Sequence, residues 1–190
     1  MQEGPAARPC HAGAAIAIGH SNLPLDRLLG LLTQHRVETL LDIRRFPGSR
    51  KFPHLSQANL AAALQEAGIE YHWIEGLGGR RRPTKAGTAS PNLGLRNKGF
   101  RNYADYMLTE EFRHAMEKLL EIAARKPTAM MCAEALYWRC HRRLVSDFLA
   151  LTNVTVEHIF PSGEVRPHKL TESARIEDGT VTYQPDSLFH

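Results

Sequence analysis

Thr128-Ala129-Met130-Met131-Cys132-Ala133-Glu134-Ala135-Leu136-Tyr137-Trp138-Arg139-Cys140-His141-Arg142-Arg143 is the stretch on which the fold turns. Its first four residues form a short apolar run that reads as a buried strand. Beyond it, Leu144, Val145, Phe148 and Leu149 recur at helical spacing. A connection that only turns the chain favours Gly, Asn or Ser. This one carries two thiols, a carboxylate, an imidazole, three guanidinium groups and two aromatics, which makes it the floor of a candidate site. Taken singly, Cys132 reads as a core thiol and Arg139, Arg142 and Arg143 as a solvated helix face. Taken together, the cluster points to chemistry.

Working outward, strands and helices alternate. Ala14 to Ile18 reads as a first strand, followed by Gly19-His20-Ser21-Asn22 and a helix with Leu25, Leu28, Leu29 and Leu32 as its apolar stripe. Val37 to Leu41 is a second strand that runs into Asp42-Ile43-Arg44-Arg45. Ser56 opens a helix that Gly68 closes, and Ile69 to Ile74 is a third strand. A long Gly- and Arg-bearing stretch, Glu75 to Lys98, is functional or disordered by its length alone. One helical region is expected over Asn102 to Ala124. The decisive stretch supplies a fourth strand and Val154 to Phe160 a fifth. Asp178-Gly179 signals a hairpin turn in the tail. This pattern implies a three-layer α/β/α domain with a mostly parallel, about five-stranded sheet. The expected organisation is a flexible arm over 1–13 and a single domain over 14–190, with the tail 161–190 packed on it.

At 190 residues and 43% apolar content, the chain is long enough to bury roughly 70% of its unfolded surface. No apolar run approaches the ~20 residues of a membrane span. The N-terminal residues lack the apolar core of a signal peptide, and three cysteines suit a reducing compartment. The expectation is a cytoplasmic protein with no membrane partner and no cofactor. The net charge is +4 with a pI of about 9.1. Basic residues cluster at Arg44-Arg45, Arg50-Lys51, Arg80-Arg81-Arg82, Lys85, Arg96 to Arg101 and Arg139 to Arg143, while acidic residues gather between Asp105 and Glu121. Such one-sidedness favours a polyanion, so the expected partner is nucleic acid or a phosphate-bearing small molecule.

In folds of this class ligands sit at the carboxyl ends of the strands. That rule gathers distant residues onto one rim: His20, Ser21 and Asn22 after the first strand, Asp42, Arg44 and Arg45 after the second, the Arg80-Arg81 loop after the third, and Cys132, Glu134, Trp138, His141 and Arg142 after the fourth. Gly19-His20-Ser21-Asn22, Leu41-Asp42-Ile43-Arg44-Arg45-Phe46-Pro47-Gly48-Ser49, Leu77-Gly78-Gly79-Arg80, Gly99 to Met107 and Met131-Cys132-Ala133-Glu134 with Cys140-His141-Arg142-Arg143 together resemble the family called domain of unknown function 488. The resemblance runs in order from about Ala15 to Arg175, and implies a cytosolic α/β domain with its site at these positions. It adds Arg101 and Tyr103 to the candidates.

The residues themselves suggest reactions. Asp42, Glu134, His20 and His141 are the candidate catalytic groups: a carboxylate opposite an oxocarbenium-like centre and an acid for the leaving group suffice for metal-independent cleavage of an N-glycosidic bond, by analogy with glycoside hydrolysis. Ser21, Asn22, Arg44, Arg45, Arg80, Arg81, Arg101, Tyr103, Cys132, Trp138 and Arg142 would bind substrate, arginines on phosphates and aromatics on a base. Cys132 as the nucleophile of a rhodanese- or phosphatase-like enzyme is the alternative. So is a non-catalytic nucleic-acid-binding module. A metal on Cys132, Cys140 and His141 ranks lower, because the paired Cys-x-x-Cys of a structural zinc site is missing.

Overall fold

The computed structural model describes residues 14–83 and 89–185. The expected N-terminal arm, Cys10, the loop centre with Lys85 and the final five residues lie outside them.

Five strands run parallel: β1 (Ala14–Gly19), β2 (Thr39–Asp42), β3 (Glu70–Trp73), β4 (Thr128–Cys132) and β5 (Thr155–Ile159). A short β6 (Val165–Pro167) adds antiparallel to β5, giving the order β3-β2-β4-β1-β5-β6. β6 escapes a pattern search because three residues are too few to show alternation. A second, two-stranded sheet pairs β7 (Ala174–Glu177) with β8 (Thr180–Tyr183) across Asp178-Gly179. Both turn residues have positive φ, 49° and 72°, the pairing that a two-residue hairpin turn needs.

Period-two alternation divides the core. On one face Ile16 and Ile18 of β1 and Met131 of β4 meet Leu28, Leu31 and Leu32 of α1 (Leu25–Gln34) and Leu60 and Leu64 of α2 (Gln57–Glu66). On the other, Ala15, Ala17 and Met130 meet α3 (Lys98–Met107), α4 (Glu110–Ala123) and α5 (Arg142–Leu151). Small residues in β1 on this second face admit large ones, Tyr103, Phe112 and Met116, from the helices. This is the three-layer α/β/α arrangement. The helical region expected over Asn102 to Ala124 holds two helices. Thr109 breaks it: its hydroxyl donates to the Tyr106 carbonyl at 2.7 Å and accepts from the Phe112 amide at 3.3 Å, which caps α4. Among the described residues no helix is long and apolar enough to cross a membrane.

The strand register sets the site. Gly19 pairs with Cys132, and Asp42 with Met131, so β1, β2 and β4 end level, with β4 in the middle. The loop after β4 is drawn back over β1 by two backbone bonds, His20 N–H to the Cys132 carbonyl and Ser21 N–H to the Ala133 carbonyl, both 2.9 Å. A Cβ on Gly19 would stand 1.9 Å from the Glu134 carbonyl oxygen, so this close return needs glycine.

Candidate functional site

A cavity of about 530 Å³ opens at these strand ends. Its floor is Cys132, Cys140 and His141. Around them stand Arg44, Arg45, Arg80, Arg139, Glu134, Phe46, Phe100 and Tyr103. Cys132 ends β4, and Cys140 and His141 lead into α5, eight and nine residues later. The intervening loop doubles back through a short 3-10 turn, Tyr137–Arg139, and so brings the two sulfurs to 3.0 Å. His141 Nδ1 lies 3.8 Å from the Cys132 sulfur and 3.6 Å from that of Cys140.

The imidazole is fixed from three sides. Its Nε2 donates to the Ile43 carbonyl at 3.0 Å, which leaves the Nδ1 lone pair facing the sulfurs. The Tyr103 ring packs on it at 5.1 Å, held by a 2.7 Å bond from its own hydroxyl to the Leu77 carbonyl. Gly79 lies against Nδ1, where a Cβ would come within 2.6 Å. Both thiols are buried. The hydrogen bond from Cys140 holds the Cys132 thiol well below the ordinary thiol range, against the opposing effect of burial, and His141 and Arg142 add to it. Burial and the neighbouring Cys132 push Cys140 the other way. Arg142 is 1% exposed; its Nη2 donates to the Ala135 carbonyl at 3.3 Å, while Nε and Nη1 have no protein partner among the described residues.

Asp42 sits apart from the cavity. It is fully buried, and both its oxygens are taken: the Arg44 side chain forks onto it at 2.5 to 3.0 Å, the Arg44 amide donates at 3.0 Å, and the Tyr71 hydroxyl donates at 2.7 Å. Burial and the Asp42 charge push the Tyr71 hydroxyl well up, so it remains a donor. His20 belongs to the same network. Its Nδ1 donates to the Ser21 carbonyl at 3.0 Å and its Nε2 accepts from Arg44 Nη1 at 3.2 Å. Burial, then the Arg44 charge, lowers its pKa, so it is neutral. His20 and Asp42 thus orient Arg44 from behind, and Arg44 reaches the cavity wall.

The remaining candidates divide. Glu134, Arg45, Arg80 and Tyr103 line the cavity with the thiols. Ser21 and Asn22 bond to each other at 3.3 Å and are not among the lining residues. Arg101 is spent on the Leu95 carbonyl and Arg81 on the Glu75, Gly76 and Gly78 carbonyls. Trp138 faces a separate groove with Tyr137, Arg143 and Thr171.

One polar network carried no sequence motif. Asp147 of α5, fully buried, accepts from His168 Nε2, the Thr171 amide and hydroxyl, and the Tyr183 hydroxyl, at 2.7 to 3.0 Å. His168 Nδ1 meets His158 Nε2 at 3.0 Å, and Tyr137 stacks flat on His158 at 3.7 Å. The available signal was a carboxylate set among the apolar positions of α5.

A model of the family described as Domain of unknown function DUF488 matches residues 24–149. The chain belongs to that family. The matched span runs from the start of α1 into α5, and so includes the floor cysteines, His141 and every arginine of the cavity wall. No curated protein and no solved structure matches this DUF488 chain.

Proposed function

We propose that this protein is an enzyme that binds a phosphate-bearing, nucleotide-like substrate, free or within a nucleic acid, and acts on it over the Cys132–Cys140–His141 centre. The observation that carries this reading is placement: the thiol–imidazole centre is the floor of a cavity whose walls bear Arg45, Arg80 and Arg139. Guanidinium groups grip phosphate oxygens bidentately. Phe46, 67% exposed, and Phe100 offer faces for a base. Glu134, exposed in the same cavity, is the group placed to move a proton. Cleavage of an N-glycosidic bond between two facing carboxylates draws no support from Asp42, whose oxygens are occupied. The centre of the chemistry moves instead to the residues after β4.

Binding of labelled mononucleotides and short single strands, titrated with salt, tests this. Replacing Arg45, Arg80 and Arg139 with Ala should weaken binding and flatten the salt slope by about three units, one for each phosphate no longer gripped. Glu134→Gln and His141→Ala should keep binding and lose turnover. Wild-type protein that binds no nucleotide or strand at low salt sinks the reading. Binding without turnover of any nucleotide or strand, unaffected by Glu134→Gln, reduces it to the non-catalytic module.

A further inference from the structure

The geometry points to Cys132, Cys140 and His141 as the protein ligands of a resident zinc-class dication whose fourth coordination position opens into the arginine-walled cavity. This deepens the reading above by naming what its centre holds, and rests on it.

Three ligand atoms converge: two sulfurs and Nδ1, all within 4.8 Å of one another. Bond lengths of about 2.3 Å to sulfur and about 2.05 Å to nitrogen in a tetrahedron require about 3.6 Å between each sulfur and the nitrogen, and about 3.8 Å between sulfurs. The two sulfur–nitrogen separations, 3.8 and 3.6 Å, already meet the first requirement. The sulfurs, 3.0 Å apart, need open by less than an ångström. Soft thiolates and an imidazole select zinc over magnesium or calcium.

The surroundings are those of a ligand set. A ligating histidine donates its other N–H to a carbonyl or carboxylate, which fixes the tautomer; here Nε2 does so to Ile43. The Arg142 amide donates to the Cys140 sulfur at 3.4 Å, a bond that strengthens when the sulfur is a thiolate. Gly79 leaves open the space beside Nδ1 that a Cβ would fill. Among the described residues no fourth His, Cys, Asp or Glu joins the group. Three protein ligands with a position left for water or substrate is the pattern of a catalytic rather than a structural site. Two thiolates and one dication sum to zero, and any proton still on a sulfur passes to solvent on loading, so the loaded centre is neutral and leaves the arginine charge available to an anion. The missing Cys-x-x-Cys does not count against it, because convergence comes from the returning loop after β4 and not from a knuckle.

The full chain, purified without chelator, should carry stoichiometric zinc by mass spectrometry of the metal. After chelation and cobalt loading it should show thiolate-to-cobalt charge transfer and the intense visible bands of tetrahedral cobalt. Cys132→Ser, Cys140→Ser and His141→Ala should each lose the spectrum. Should a cysteine variant fail to fold, zinc protection of both thiols from a thiol reagent in the wild-type chain reads the same site. Wild-type protein that takes up neither zinc nor cobalt, or whose two thiols stay as reactive to the thiol reagent with zinc as without it, overturns the inference. So does a cobalt spectrum unchanged in the Cys132→Ser, Cys140→Ser double variant. Nucleotide binding on the same samples separates the two ideas: binding kept by a wild-type chain that takes up no metal overturns the metal alone, and metal kept by a chain that binds no nucleotide overturns the substrate class alone.

Discussion

His141 donates its Nε2–H to the carbonyl of Ile43 at 3.0 Å, and the amide of that same Ile43 donates to the Met131 carbonyl at 2.9 Å. One residue just past β2 therefore grips both the end of β4 and the imidazole that begins α5. The sheet itself aims the ring, with no mobile side chain between them.

Gly79→Ala tests that aim. The added Cβ would lie 2.6 Å from Nδ1, so the ring must turn or the loop must lift. Overpacking of this kind costs about 1–3 kcal/mol. The melting temperature should fall modestly, and nitrogen NMR of the imidazole should show the Nε2–H tautomer replaced or mixed. An unchanged tautomer with full stability would show that Gly79 does not constrain His141.

Asp42→Asn should act on the fold before it acts on any reaction. Removing one partner of a buried ion pair costs about 3–5 kcal/mol, because the other charge is left uncompensated. Here the stranded group is Arg44, 5% exposed. Tyr71→Phe, which removes one neutral donor from the same carboxylate, should cost about 1 kcal/mol. Urea denaturation measures both, and an Asp42→Asn chain as stable as wild type would refute the buried-pair account.

Much of this architecture is legible in the sequence. The alternation of short apolar runs with amphipathic stretches gives the parallel layers, and Asp178-Gly179 gives its hairpin, because both signals are local. What Asp42 does is not local. A carboxylate at a strand end faces a ligand or a neighbour according to what the next strand brings, and here β3 brings Tyr71 while Arg44 folds back two residues on. The same holds for Cys132 and Cys140, whose spacing matches no motif and whose meeting depends on the loop between them doubling back through Tyr137–Arg139. His158 and His168 are single residues in sequence and become a chain only when β6 folds beside β5.

That chain makes stability depend on pH. Burial, then the Arg142 charge, then His168, lower the His158 pKa from 6.5 to about 2. A group whose folded pKa is depressed stabilises fully above its unfolded pKa. The contribution is lost as pH falls from about 6.5 toward about 2, since only the unfolded chain takes up the proton. Tyr137 stacks on the ring, and Asp147 lies beyond His168. Wild type should lose more stability between pH 7.5 and 5 than His158→Phe, which keeps the stack and removes the titration. Parallel acid slopes in chemical denaturation would assign the loss to other groups.

Arg80 and Arg81 are neighbours with opposite duties. Arg81 reaches inward: it donates to the Gly78, Gly76 and Glu75 carbonyls at 2.8, 2.9 and 3.1 Å, and its guanidinium lies 3.5 Å over the Tyr106 ring. Those bonds close the loop that carries Gly79 against His141. Arg80 lines the cavity and is exposed, at a φ of 58° that Ala shares without relief. Arg81→Ala should therefore cost about 2 kcal/mol or more, because it removes charged hydrogen bonds and a cation–π interaction together. Arg81→Lys should rescue little of it, because an ammonium cannot span three carbonyls as a fork does. Arg80→Ala should leave stability within about 0.5 kcal/mol of wild type, as surface changes do, and reduce the salt slope of nucleotide binding by about one unit. Urea melts and salt titrations on the three variants decide it. Equal effects of Arg80→Ala and Arg81→Ala on both quantities would dissolve the distinction and return the loop to a simple basic patch.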